Sequence, residues 1–118
     1  MESEQKQLEY YRTLEGKVPF KDWLASLQDI RARARIDAKL AKVRLGNLGD
    51  SRSVGGGVLE LEVDYGPGYR LYIGQHGSTL ILLLCGGKKS TQSADIKKAI
   101  MYWQEYRERL KEERKCQK

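Results

Sequence analysis

Two basic segments of the chain carry the residue types that suit phosphate chemistry. Residues 30–52 hold seven lysines and arginines against two acidic residues, and residues 86–118 hold ten against five. The intervening residues 53–69 carry a net charge of −3. A basic patch on a small domain favours a phosphate-rich partner or an acidic protein. Charge alone leaves both open, together with a merely solvated surface.

Arg70 is the cation that the sequence places best for contact with a phosphate group. It lies with Tyr72 on the polar face of a strand predicted over residues 69–73. Its guanidinium fork matches two phosphate oxygens. The alternative is a cross-strand ion pair with Glu62 or Asp64. Tyr72 would orient a substrate or stack on a base, and the alternative is packing against the neighbouring strand.

A polar run follows the double glycine at 86–87, where the last predicted strand ends. Lys88 and Lys89 come first in this run. A loop lysine is either a phosphate ligand or an ordinary exposed side chain. Ser90 and Gln92 add hydrogen-bonding groups for a phosphate or a base, and the alternative is that this run only leads into a helix cap.

Composition excludes several classes of protein. The chain has 118 residues, a net charge of +6 and 40% hydrophobic residues, the size and balance of one globular domain. Two cysteines and one histidine leave no zinc finger, no other metal site and no disulfide framework. No stretch reaches the roughly 18 apolar residues of a membrane helix, and the acidic N-terminus is unlike a signal peptide. We expect one cytoplasmic domain over 1–118, with a core at 7–110 and a frayed basic tail at 111–118.

The apolar patterns predict the elements that must position these side chains. The predicted elements are a strand at 8–13, helices at 19–27 and 30–45, strands at 59–65, 69–73 and 80–85, and a helix at 93–110. The glycine-rich stretch 46–57 is predicted to be a mobile loop, because it lacks the spacing of a phosphate-binding loop.

The predicted order is therefore β-α-α-β-β-β-α. The strand at 80–85 is apolar on both faces, so we expect it in the interior of the sheet. Short turns predict an antiparallel meander of three strands, and the helices are expected to pack on one face of it. The fold class is α+β, with a polar opposite face.

Three stretches resemble the RelE/ParE superfamily of type II toxin–antitoxin toxins. They are WLASLQDIRARARIDAKLAKVRLGNLGD, LELEVDYGPGYRLYI and LLLCGGKKSTQSADIKKAI. The pairing of DYGPGYR with GGKKSTQ is similar to the phage-derived, HigB-like addiction module killer proteins. The resemblance covers about residues 7–110 and implies a RelE-like fold.

This resemblance implies a toxin that cuts mRNA on the ribosome without a metal ion and so inhibits translation. It implies the ribosome with its mRNA, and a helix-turn-helix antitoxin encoded by an adjacent gene, as partners. It implies no small-molecule cofactor. Other members of the superfamily poison DNA gyrase, and a degenerate member would only bind its antitoxin. Both alternatives stay open.

The resemblance also assigns roles to individual residues. Arg70, Lys89 and Arg52 match positions of catalytic basic residues in the family. The residues expected to contact substrate are Lys88, Ser90, Gln92, Tyr72 and Asp95. The predicted helix at 30–45 carries a basic stripe, which would lie on ribosomal RNA with a salt-dependent affinity or form a solvated helix face. This stripe consists of Arg31, Arg35, Lys39 and Lys42.

The general base is not identified by the resemblance. Relatives often carry a tyrosine or histidine near the start of the last helix, and Asp95 aligns with that position. The single histidine, His76, falls in a predicted turn at the wrong end of the sheet. Glu62 stands where close relatives have a basic residue. Proton transfer would then rely on lysine or aspartate.

Overall fold

A computed structural model describes residues 5–116 as a five-stranded sheet with three helices. The elements are β1 (Gln7–Tyr10), α1 (Pro19–Ser26), α2 (Ile30–Arg44), β2 (Ser51–Gly55), β3 (Val58–Val63), β4 (Tyr69–His76), β5 (Leu80–Lys88), a 3-10 turn (Lys89–Thr91) and α3 (Gln92–Cys116). The fold is α+β. No helix within the described range is long and apolar enough to cross a membrane.

All five strands belong to one sheet, in the order β1-β5-β4-β3-β2. β1 runs parallel to β5, and the other neighbouring pairs are antiparallel. β5 lies between β1 and β4, which confirms the interior position predicted from its two apolar faces. β1 accompanies only the first half of β5, because its register ends at the pair Tyr10–Leu83.

Helices α1 and α2 cover one face of the sheet. Pro19 stands at the start of α1, where its missing N–H costs nothing. The Asp29 carboxylate caps α2 by accepting hydrogen bonds from the backbone N–H groups of Arg31 and Ala32. The buried stripe of α2 consists of Ala32, Ile36, Leu40 and Val43. It packs on a sheet face formed by Leu61, Val63, Tyr69, Leu71, Ile73, Ile81 and Leu83.

Helix α3 packs on the opposite face, so the prediction that all helices lie on one face is wrong. Ala99 and Trp103 of α3 contribute to a second buried cluster. The sheet residues of this cluster are Val58, Tyr72, Leu82, Leu84 and Cys85. The physical reason is the two-faced apolarity of β5, since each face needs its own cover. The polar part of this face is limited to the region around Arg52 and Glu62, which are exposed.

The stretch 46–57 is not entirely a loop, because β2 lies within it and pairs with β3. Its glycines allow a close approach of α3. Gly57 has a φ of +88°, and a Cβ atom added there would lie 2.8 Å from Nε1 of Trp103. The equivalent atom at Gly56 would lie 2.8 Å from Cγ2 of Ile100. These glycines are therefore required by packing as well as by the turn.

Three predicted boundaries are also corrected. β1 ends at Tyr10 rather than at residue 13, and β4 continues to His76, which was expected in a turn. The tail predicted to fray from residue 111 is helical as far as Cys116, and residues 117–118 lie outside the described range. Ion pairs one turn apart within this last stretch, between Lys111 and Glu108 for example, support the helix.

Gly74→Ala tests the packing of α3 on the sheet. Gly74 lies in β4, and a Cβ atom there would come within 2.3 Å of the Trp103 ring. We expect a loss of about 1–3 kcal/mol in the free energy of unfolding, measured with urea, because the core is overpacked. In a Trp103→Leu background the same change is expected to cost much less. An equal cost in both backgrounds would contradict this packing.

Candidate functional site

Three adjacent strands place Arg52, Glu60 and Tyr72 in one row across the sheet. Arg52 of β2 is paired with Glu60 of β3, and Glu60 is paired with Tyr72 of β4. All three side chains lie on the face that α3 partly covers. Glu60 is only 4% exposed, although its alternation with Leu59 and Leu61 predicts an open polar face. The row brings together two predicted site residues around a carboxylate that was not predicted.

The Glu60 carboxylate accepts hydrogen bonds from three different elements. Its Oε1 accepts one from Nε of Arg52 at 2.8 Å. Its Oε2 accepts one from the Tyr72 hydroxyl at 2.9 Å and one from Nε2 of Gln92 at 2.9 Å. Gln92 is the first residue of α3, so this contact also fixes the start of that helix above the sheet. We call Arg52, Glu60, Arg70, Tyr72 and Gln92 the Glu60 cluster.

Arg70 lies beside Tyr72 on the same face, and its guanidinium is largely buried. Its side chain is 10% exposed, and Nε lies 3.8 Å from Oε1 of Glu60. That distance is too long for a hydrogen bond, and Nε has no hydrogen-bond partner in the described part of the chain. Nη1 donates to the carbonyl oxygen of Gly68 at 3.2 Å. Arg70 is therefore a preorganised cation with hydrogen-bonding capacity to spare.

The ion pair suggested for Arg70 is made with a different carboxylate. Glu62 is opposite Arg70 in the register of β3 and β4, and Asp64 follows it. The guanidinium instead approaches Glu60, because that carboxylate is buried and needs a neighbouring positive charge. Glu62 stays exposed at the rim, where Asp50, Ser51, Arg52 and Glu60 complete a shallow pocket of about 110 Å³.

The lysines that follow the double glycine lie near Arg70 at the backbone level. The Lys89 N–H donates to the carbonyl oxygen of Gly68 at 2.9 Å, and Arg70 donates to the same oxygen. Lys88 is opposite Tyr69 in the register of β4 and β5. The side chains of Lys88, Lys89 and Ser90 are exposed, so they border the Glu60 cluster without joining its hydrogen bonds.

Asp95 does not belong to the Glu60 cluster and makes its contacts at the end of β5. Its Oδ2 accepts a hydrogen bond from the Thr91 hydroxyl at 2.5 Å, and its carboxylate lies directly against Gly87. The Thr91 hydroxyl in turn bonds to the backbone of Lys88. Asp95 thus ties the first turn of α3 to the end of β5, and it is 9% exposed.

The basic stripe of α2 lies on the other face of the sheet from the Glu60 cluster. Arg31, Arg35 and Lys42 are exposed, and Lys39 is half-buried. The Arg35 guanidinium lies 5.3 Å from the centre of the Tyr65 ring, a cation–π contact. The structure therefore separates the stripe from the predicted catalytic residues by the thickness of the sheet.

His76 lies far from the Glu60 cluster. It ends β4, six residues after Arg70, which corresponds to about 20 Å along an extended strand. Its ring contacts the edge of Tyr106, with centroids 6.3 Å apart.

Hydrogen bonding sets the protonation states within the Glu60 cluster. Burial raises the pKa of Glu60, but the hydrogen bonds from Gln92, Arg52 and Tyr72 outweigh it and hold the pKa below its ordinary value. Burial and the bond to Glu60 raise the pKa of the Tyr72 hydroxyl. Near neutral pH the cluster therefore contains an ionised Glu60, a protonated Tyr72 and two cationic arginines. Because Tyr72 is completely buried, its ring cannot stack on a base as predicted, and its hydroxyl acts only through its hydrogen bond to Glu60.

Glu60 is the residue that sequence reasoning missed. The sequence does place Glu60 on the same face of the alternating strand as Glu62, two residues earlier. Its partner Arg52 was placed in a loop, however, so the pairing of β2 with β3 could not be anticipated. Without that pairing, Glu60 is indistinguishable from the other acidic residues of β3.

The chain is similar to a protein of Haemophilus influenzae (strain Rd) that is described as an uncharacterized protein. The two are 46% identical over 86 residues, which cover 73% of this chain and 87% of the relative. No family model matches the chain. An alignment that spans most of both chains at this identity is evidence of common ancestry.

Glu60→Gln tests the central carboxylate. At pH 7 we expect the free energy of unfolding to fall by about 1–3 kcal/mol, because Arg70 loses its counter-charge. The pKa of Glu60 is lower in the folded protein than its ordinary value of 4.5. The stabilisation by ionised Glu60 is therefore complete above pH 4.5 and is lost as the pH falls through the pKa of the folded protein. The deficit of Glu60→Gln should therefore shrink below pH 4.5 in urea titrations.

The matched control is Glu62→Gln, an exposed glutamate two residues along the same strand. It is expected to change the free energy of unfolding by less than about 0.5 kcal/mol. A Glu60→Gln deficit that is the same at neutral and acidic pH would show that the charge of Glu60 is not what stabilises the cluster.

Proposed function

The chain belongs to the same family as the uncharacterized Haemophilus influenzae protein, and we propose that it is the toxin of a type II toxin–antitoxin module. In this proposal it is a RelE-like, metal-independent endoribonuclease that cuts mRNA on the ribosome and inhibits translation. The observation that carries the proposal is the largely buried Arg70 guanidinium beside Arg52 and Glu60. A phosphate group is the anion whose paired oxygens match such a fork.

The proposed reaction is an internal displacement at phosphorus. The ribose 2′-oxygen attacks the adjacent phosphorus atom, and the bond from phosphorus to the 5′-oxygen breaks. The products are a 2′,3′-cyclic phosphate and a 5′-hydroxyl. The 2′-hydroxyl must lose a proton, the 5′-oxygen must gain one, and the dianionic phosphorane between them must be stabilised.

The cations around Glu60 are suited to the phosphorane. Arg70 would contact it from the buried side, where low mobility favours electrostatic stabilisation. The Arg52 side chain is 63% exposed and would close over the phosphate from the rim. Lys89, next to Gly68, would protonate the departing 5′-oxygen. Lys88, at the end of β5, and Ser90, in the 3-10 turn that follows, would contact the neighbouring phosphate groups.

Glu60 is the proposed proton acceptor. In the resting cluster Oε1 is occupied by Arg52, and the pKa of the carboxylate is held low. When Arg52 turns to the phosphate, Oε1 becomes free while Tyr72 and Gln92 still hold Oε2. Loss of one charge-assisted hydrogen bond raises the pKa of Glu60 and makes it a better base. Substrate binding would thus activate the base that it needs.

The other proposed contacts lie outside the Glu60 cluster. The basic stripe of α2 would bind ribosomal RNA, so that affinity falls as salt concentration rises. The antitoxin would be a helix-turn-helix protein encoded by an adjacent gene, and both proteins would act in the cytoplasm. These proposals rest on the sequence resemblance together with the exposed cations of α2.

Arg70→Ala tests the proposed chemistry. We expect the rate of mRNA cleavage to fall by roughly 10²–10³-fold, because one preorganised cation is lost from the phosphorane. Arg70→Lys should recover only part of this loss, since an ammonium group keeps the charge without the fork. Lys89→Ala should be milder. The measurement is growth after induction without antitoxin, with primer extension on mRNA and circular dichroism as a check of folding.

His76→Ala is the matched control, because His76 lies at the far end of β4 and should not affect cleavage. Cleavage that survives Arg70→Ala but not His76→Ala would contradict the placement of the site. DNA breaks without mRNA cuts would favour a gyrase-directed toxin. Normal growth with the wild-type chain would indicate a degenerate protein that only binds its antitoxin.

Co-expression tests the proposed antitoxin. The product of the adjacent gene is expected to restore growth and to co-purify with this chain in a stable complex. The control is the same antitoxin expressed with an unrelated toxin, whose growth arrest it should not relieve. Failure both to restore growth and to co-purify would reject the toxin–antitoxin pair while leaving the nuclease test unaffected.

A further inference from the structure

The second half of β5 borders an opening that the proposed chemistry does not use. β1 pairs with β5 only up to Leu83, whose carbonyl oxygen accepts a hydrogen bond from the Tyr11 N–H at 2.9 Å. From there to Lys88, β5 has β4 on one side and no described strand on the other. The free edge of a strand offers backbone groups to a ligand.

Two aromatic side chains flank this edge from opposite faces of the sheet. Trp23 of α1 lies against Gly86, where an added Cβ atom would come within 2.3 Å of the ring. Tyr102 of α3 stands on the other side and stacks on Tyr11, with ring centroids 4.9 Å apart. The opening between them, which we call the notch, has a volume of about 330 Å³. That volume is within the roughly 300–1,000 Å³ range of small-ligand pockets.

The polar side chains that line the notch include two lysines and one carboxylate. Lys88 and Lys98 line it and are both exposed. Asp95 also lines it, and the Thr91 hydroxyl occupies its Oδ2. Its Oδ1 has no hydrogen-bond donor among the described residues and is not fully buried. The notch therefore combines apolar walls with a few fixed polar groups, as ligand sites do.

We propose that the notch binds one nucleobase of the RNA substrate, next to the phosphate held at Arg70; this rests on the proposed function. Gly87 is opposite Arg70 in the register of β4 and β5, and neighbouring strands are about 5 Å apart. In this proposal the base beside the scissile phosphate enters the space between Trp23 and Tyr102 past the Asp95 carboxylate, which lies over Gly87. Lys98 is placed for the next phosphate of the strand. Aromatic walls are the usual surface on which proteins stack unpaired bases.

Asp95 gives the notch a preference among the bases. Its free Oδ1 is a hydrogen-bond acceptor, which favours a base that presents an amino group. Adenine, guanine and cytosine have one, whereas uracil presents two carbonyl oxygens beside its single N–H. Uracil is therefore the base that the notch should bind most weakly.

The same edge is poorly suited to an added peptide strand. Strand addition needs a run of free backbone groups, and the free part of β5 is short. At its end the Lys88 N–H already donates a hydrogen bond to the Thr91 hydroxyl. A compact, flat ligand fits the remaining edge better than an extended chain.

The test uses the full chain and 2′-O-methyl dinucleoside monophosphates, which contain one phosphate and cannot be cleaved. Binding is measured by calorimetry and by chemical shifts of backbone amides. Wild type is expected to show shifts at Gly86 and Gly87 and none at Gly77. Tyr102→Leu should weaken binding roughly tenfold, whereas Tyr102→Phe, which keeps the ring, should not. Asp95→Asn should reduce the preference against uracil, and Met101→Ala, at an exposed neighbouring position, is the control.

Several outcomes would overturn the proposal that the notch binds a nucleobase. If Tyr102→Leu binds as wild type while Arg70→Ala loses binding, the notch holds no base and the proposed function stands. If wild type binds none of the dinucleotides, the notch is rejected, and the growth and primer-extension experiment decides the function separately. If the antitoxin shifts Gly86 and Gly87 but dinucleotides do not, the notch is a protein interface.

Discussion

The buried carboxylate of Glu60 is the interaction on which the rest of the site depends. It joins β2 through Arg52, β4 through Tyr72 and α3 through Gln92. A carboxylate that is 4% exposed would be costly without these partners. The negative charge of Glu60 also offsets the mutual repulsion of Arg52 and Arg70, which the strand register places on the same face of the sheet. The cluster therefore connects two strands and a helix to β3, and it also carries a net positive charge.

Close packing on both faces makes this arrangement possible. Gly86 admits the Trp23 ring on one face, and Gly74 admits the Trp103 ring on the other. Any side chain at these glycines would lift a helix off the sheet. With α3 held at Trp103, its N-terminal end reaches Glu60, and with α1 held at Trp23, the edge of β5 is flanked but not covered. Two glycine–tryptophan contacts thus determine where the sheet is closed and where it is open.

Much of the fold was predictable because it follows from local patterns. The helix start at Pro19, the cap at Asp29, the alternation in β3 and β4, and the interior position of β5 are all encoded within a few residues. The placement of α3 on the second face was not, because a helix stripe shows that one side is buried without showing against what. β2 was missed because its composition, SRSVG, is that of a loop, and only its pairing with β3 makes it a strand.

The candidate site, like the fold, contains features that the local sequence predicts and features that depend on the tertiary structure. Arg70, Arg52, Tyr72 and Gln92 were proposed separately, and the structure brings them together. Their common partner was invisible in the sequence, since its role exists only once three strands and one helix are assembled. Asp95 was expected to contact the substrate and the α2 stripe to bind ribosomal RNA; Asp95 lies at the edge of β5, and the stripe lies on the opposite face of the sheet. Residue types identified candidate side chains one at a time, whereas their convergence on one point depends on the tertiary structure.

In the proposed function, a carboxylate at the centre of the phosphate site affects how the binding energy would be distributed. Glu60 cancels part of the charge of Arg52 and Arg70, so the cluster alone would attract RNA weakly. The uncompensated cations lie elsewhere, chiefly on α2, which carries six lysines and arginines against one aspartate. In the proposed function, most of the affinity for RNA would come from this remote surface. The Glu60 cluster would mainly stabilise the transition state. The contacts of α2 with RNA take no part in the reaction. They can hold the scissile phosphate at the position where Arg52 would leave Glu60 and bind the phosphate instead. A nuclease built in this way depends on a large RNA partner that engages both faces of the sheet at the same time.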